Sequence, residues 1–152
     1  MTRGPYDGVL NIVRFNWPFF AGTSIASIAS GALAFSVSSP VWRLLFATVA
    51  AGLLIGSVVS LTVSHLIYDR SALYRFSWLD RAIGRAETRS AVFCQTGFDE
   101  SSALLQAYTA PTAWTLLDHY DPARMTEASI QRARRHCPPA AGTLPAPFNS
   151  WP

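Results

Sequence analysis

Lysine is absent from this chain of 152 residues, and all twelve of its basic side chains are arginine. Charge of either sign is scarce, at 14% of residues, against about 25% in a typical soluble domain. A net charge of +3, spread over separated arginines, leaves no basic run of the kind that grips a phosphate backbone, which excludes nucleic acid as a partner. Cysteine is nearly absent too. Cys94 and Cys137 match no metal-ligand spacing, and in a cytosolic segment they are expected to be reduced and structural. No P-loop, metal spacing or Ser/His/Asp arrangement can be placed, so no catalytic and no metal-binding residues are expected.

Apolar residues are plentiful, making up half of the chain. Residues 17–37, WPFFAGTSIASIASGALAFSV, and residues 44–64, LLFATVAAGLLIGSVVSLTVS, each run for 21 positions without a charge. About 20 apolar residues cross a bilayer as a helix. A signal peptide has a shorter apolar core and is not followed at once by a second span. The short SSPVWR linker predicts a transmembrane helical hairpin. Arg3 and Arg14 precede it and Arg70, Arg75, Arg81, Arg85 and Arg89 follow it, while Arg43 alone lies in the connection. By the positive-inside rule the N-terminal segment 1–16 and everything after the second span are cytoplasmic. Trp17, Trp42, Tyr68, Tyr74 and Trp78 fall near the expected interfaces.

Each span carries small residues four apart: Gly22, Ala26, Ser30 and Ala34 in the first, and Gly52, Gly56, Ser60 and Ser64 in the second. Such stripes let helices approach closely. They serve either the hairpin's own seam or another membrane protein, for which Gly52, Gly56 and Ser60 are the contact candidates. With no acid or base inside either span, no proton or ion path is expected. His65, at the end of the second span, is either an interfacial polar residue or a ligand for a haem or chlorophyll metal.

In residues 68–89, Leu73, Phe76, Leu79 and Ile83 recur at helical spacing with arginines mostly elsewhere. An amphipathic helix lying on the membrane surface is expected, with arginines toward anionic lipid. Residues 90–137 read as strand (AVFC), helix (ESSALLQAY), strand (AWTLLDHY) and helix (MTEASIQRARRHC). Asp99 is a helix N-cap, and Pro138 and Pro139 stop the last helix. This alternation implies a parallel β-α-β-α unit.

The segments FNWP, YDRSALYRFSWL, GFDESSALL and LDHYDPARMTEASIQRARR together resemble bacterial membrane-anchored class I methyltransferases that use S-adenosylmethionine. The resemblance covers most of residues 15–137, and YDPARMTEASIQRAR is its most specific piece. It implies a bacterial inner or intracytoplasmic membrane. It also implies that Gly97 belongs to the loop that cradles the cofactor, and that Asp118, or alternatively Asp121, is the acid that binds its ribose. Asp118 follows Gly97 by 21 residues, near the spacing of about 20 in nucleotide folds.

The departures weigh against activity. A working loop has several glycines, so that backbone can approach the ligand, whereas Phe98 and Asp99 follow Gly97 directly. Two strands stand where the family's sheet has several more, so the acceptor half is expected to be missing. Two parallel strands cannot cover both of their own faces. Residues 138–152 hold five prolines, which predicts an extended coil, with Phe148 and Trp151 as aromatic anchors for a partner.

The expectation is therefore an α-helical membrane protein, a two-helix transmembrane hairpin with a small cytoplasmic α/β fragment. It would act as a non-catalytic accessory subunit of a larger membrane complex, photosynthetic reaction-centre or antenna complexes being one kind. Its partners would be other membrane subunits and lipids; contact with pigment is left open. The alternatives are a methyltransferase completed by another chain, with S-adenosylmethionine as cofactor, and a lipid-binding regulator.

Overall fold

The computed structural model describes residues 4–79, 90–108 and 113–147. It divides into two compact units, one of Pro5–Arg70 and one of the remaining residues.

The first unit is helical. Helix α1 (Asp7–Phe15) is followed by α2 (Trp17–Ser36) and α3 (Pro40–His65). Proline opens both long helices within the first two positions, where its missing N–H costs nothing and its φ is already helical. Both are long and apolar enough to cross a membrane. A core helix of a soluble protein would be covered, yet α2 buries only Ala34 and α3 buries no residue. Phe35 is 92% exposed. Surface of that kind suits hydrocarbon and is costly in water.

The hairpin seam is narrower than the small-residue stripes. It uses Ser30 and Ala34 of the first stripe, joined by Thr23 and Ser27, against Ala50, Leu53, Ser57 and Leu61. Ser27 donates to the Ala50 carbonyl at 3.0 Å, and Ser57 lies 3.5 Å from the Thr23 hydroxyl. Gly22 and Ala26, and Gly52, Gly56 and Ser60, are exposed instead. A Cβ added at Gly52 or Gly56 would meet nothing within 4 Å. Gly52, Gly56 and Ser60 of the second stripe therefore lie outside the seam, while its last member, Ser64, is half-covered.

Past α3 the chain forms a π-helical turn (Leu66–Arg70) and then a single 3-10 turn (Leu73–Arg75) ended by Phe76 in the left-handed region, φ 52°. The continuous helix expected over 68–89 is interrupted at 71–76, and the chain is helical again at 77–79; residues 80–89 lie outside the described residues. Burial of Phe76 gives the physical reason. Its ring packs 5.8 Å from Tyr108 and is 7% exposed, so tertiary contact overrides helical continuation.

The second unit holds β1 (Ser90–Gln95), α4 (Ser102–Tyr108), β2 (Ala113–Asp118), α5 (Ala128–His136) and β3 (Leu144–Pro145). The sheet is parallel with order β1-β2-β3, in register Phe93 to Leu116, Gln95 to Asp118 and Asp118 to Pro145. The two-strand expectation is corrected to three, since the start of the proline-rich tail adds a strand. Asp118 O accepts from Ala146 N at 2.9 Å, and the Pro145 nitrogen, which has no hydrogen to donate, falls at the short outer strand. Right-handed crossovers running in one direction place both helices on the same face. Consistent with that, Ala91, Phe93 and Gln95 are covered, while Ser90, Val92 and Cys94 are exposed.

Candidate functional site

Ligands of open parallel sheets sit beyond the carboxyl ends of the strands. Here the turn after β1 brings Gly97 to that place with φ 110°, a backbone state that a side chain would strain. A Cβ at Gly97 would lie 3.2 Å from the Ile130 side chain of α5. The glycine thus serves close helix packing. Asp99 accepts from the Ser102 and Ser101 amides at 2.9 and 3.3 Å and from the Ser102 hydroxyl, which starts α4 as expected of a cap.

The structure brings Gly97 and Asp118 together through a third residue. Arg134 lies one helical turn beyond Ile130, so it faces the same strand ends. Its Nη2 donates to Asp118 Oδ2 at 2.5 Å and its Nη1 to the Gly97 carbonyl at 3.1 Å. Its guanidinium carbon stands 4.2 Å from the centre of the Tyr120 ring. The Asp118 side chain is only 9% exposed, so its charge is met chiefly by Arg134. Its other oxygen accepts from Tyr120 N at 3.1 Å.

The neighbouring polar residues go separate ways. His119 N donates to the Gln95 carbonyl at 2.8 Å, while its Nδ1 donates to the Pro147 carbonyl at 3.2 Å. Asp121 accepts from Ala123 N at 2.9 Å and lies 3.6 Å from exposed Arg124. Beside them opens a cleft of about 470 Å³ walled by Asp118 to Pro122, Arg124 and Pro145 to Pro147. Gln95, at the end of β1, is buried, and among the described residues neither end of its carboxamide has a hydrogen-bond partner.

S-adenosylmethionine, the group implied by the resemblance, does not fit this arrangement. The position between the Gly97 loop and the Asp118 carboxylate is filled by Arg134. The sequence contained no direct sign of this plug, because Arg134 stands in a run of arginines and only its register with Ile130 distinguishes it.

A second cluster lies at the end of the hairpin. Asp69 accepts from Gly8 N at 2.7 Å, from Val9 N at 3.1 Å and from His65 Nδ1 at 3.0 Å. Tyr6 stacks on the His65 ring with centroids 5.2 Å apart. The carboxylate therefore satisfies amide donors in the first turn of α1, where the helix dipole also favours negative charge. Burial by itself raises the Asp69 pKa. Donation from His65, Val9 and Gly8 outweighs it and holds the carboxyl below its usual range. His65, expected as an interfacial residue or a metal ligand, is here a donor to this carboxylate. The partner-contact candidates Phe148 and Trp151 lie outside the described residues, and Cys94 and Cys137 are not joined in a disulfide.

No protein-family model, no curated protein and no solved structure matches this chain.

Proposed function

We propose that the chain is a non-catalytic accessory subunit of a larger membrane protein assembly. It would sit in a bacterial inner membrane with both ends on the cytoplasmic side. The observation that carries this reading is the state of β1. Among the described residues this parallel strand has a neighbour on one edge only, and Val92 and Cys94 are exposed on its outward face. Parallel strands are normally covered on both faces, and a bare edge is a template for further pairing. The exposed Gly52–Gly56–Ser60 stripe fits the same role within the bilayer. Arg134 in the strand-end position weighs against a cofactor-dependent enzyme.

Extraction of the native membrane in mild detergent, then sizing and mass spectrometry, tests the proposal. Co-migration in fixed ratio with other membrane subunits is expected, and photosynthetic reaction-centre or antenna complexes are among the assemblies to look for. A folded chain migrating alone overturns the proposal. Saturable binding of S-adenosylmethionine by the purified chain would favour the methyltransferase alternative.

A further inference from the structure

Arg134 is held as a bound ligand is held, by three groups that reach it from outside its own helix. Gly97 supplies a carbonyl from the turn after β1, Asp118 a carboxylate at the end of β2, and Tyr120 an aromatic face just beyond it. We propose that these three residues form a receptor for guanidinium-type cations, of which Arg134 is the internal ligand. An external ligand for this site must be such a cation and must displace Arg134. This goes beyond the accessory-subunit reading and does not depend on it.

The chemistry of the three groups selects the cation. With its side chain 9% exposed, the Asp118 carboxylate is largely removed from water and needs a positive partner. The carbonyl at 3.1 Å accepts an N–H on a second nitrogen, so two donors on one rigid fork are used at once. The ring centre at 4.2 Å lies well inside the reach of about 6 Å at which aromatic faces attract cations. A spherical ion cannot present two N–H donors in a fixed fork; a planar guanidinium meets the carboxylate, the carbonyl and the ring at once.

The surroundings leave room for more than the cationic head. Asp118 and Tyr120 also wall the adjoining cleft of about 470 Å³, which could take the body of an alkylguanidine. Gln95 is paired in register with Asp118, and it is 7% exposed. Its buried carboxamide, without a hydrogen-bond partner among the described residues, brings an unused donor and acceptor to the same end of the sheet.

The test uses the full chain in detergent micelles, with Arg134→Ala to vacate the site. Thermal unfolding is followed with increasing methylguanidinium chloride, and with sodium or tetramethylammonium chloride at equal ionic strength. The vacated variant is expected to gain Tm saturably with methylguanidinium and several-fold less with the other two cations. Adding Asp118→Asn is expected to abolish the selective gain. If Arg134→Ala shows no cooperative transition in plain buffer, recovery of one by methylguanidinium alone is the supporting result. Equal responses to all three cations, no recovery with any, or an undiminished gain in the double variant would overturn the proposal.

Discussion

Replacing Asp69 with alanine should release the first turn of α1 from the end of α3. The carboxylate accepts two backbone amides, at 2.7 and 3.1 Å, and one imidazole nitrogen at 3.0 Å, with its own side chain fully covered. Hydrogen bonds to a charged group contribute about 1.5–3 kcal/mol each, but they are not additive and α1's amides can turn to water once released. Loss of a helix cap, the nearest analogue, costs about 0.5–2 kcal/mol. A net cost near 2 kcal/mol is therefore expected, equivalent to roughly 30-fold in the opening equilibrium. Amide hydrogen exchange at Gly8 and Val9, measured in micelles or nanodiscs, reads this directly. Asp69→Asn keeps one acceptor oxygen and should fall between alanine and the native chain. Exchange at both amides within about twofold of the native rate in Asp69→Ala would refute the capping argument, since a loss of that size is less than half a kcal/mol.

Acid should loosen the same latch, because a depressed folded pKa gives a stabilisation that is full above the usual carboxylate value of about 4 and fades as pH falls through the lower folded value. Exchange at Gly8 and Val9, corrected for its intrinsic pH dependence, should show α1 latched at neutral pH and freed well below pH 4. Gly97→Ala should destabilise the α/β unit by about 1–2 kcal/mol, from its φ of 110° and the 3.2 Å approach to the Cγ2 methyl of Ile130, as read by chemical denaturation; adding Ile130→Leu, which removes that branch methyl, should recover only the contact part. Ser27→Ala should weaken the hairpin by about 0.6 kcal/mol, whereas Gly56→Leu should leave the isolated hairpin unchanged and reduce recovery of the assembly in co-purification. Maleimide should label Cys94 faster than half-buried Cys137 in the purified chain, and Cys94 should become protected within the native complex.

The two long apolar helices were legible because an uncharged run of 21 residues has few other uses. The principal strands and helices of the second unit were legible from alternating patterns. The omissions have physical causes. Helix α1 is short and holds its place through Asp69, some sixty residues away in sequence, a distance that no local pattern spans. β3 has two residues, one of them proline, and it exists only because β2 offers an edge. The helix expected over 68–89 is broken within its described part at 71–76, where Phe76 buries its ring. At the candidate site, Gly97 and Asp118 were expected as parts of a cofactor loop and a ribose-binding acid, and in the structure both bond Arg134. What joins them, an arginine 16 residues after Asp118, depends on how α5 lies across the strand ends.

The tight connection between α2 and α3 bears on how such a pair would enter a membrane. Only Val37, Ser38 and Ser39 separate the two helices, and Arg43 reaches back from α3 to the Val37 carbonyl at 3.2 Å. With so little chain between them, neither helix can settle in the bilayer long before the other. In the proposed membrane they would enter together as a folded-over pair. In the proposed orientation the only charge carried to the far side is Arg43, and it arrives bonded to the end of the helix ahead of it.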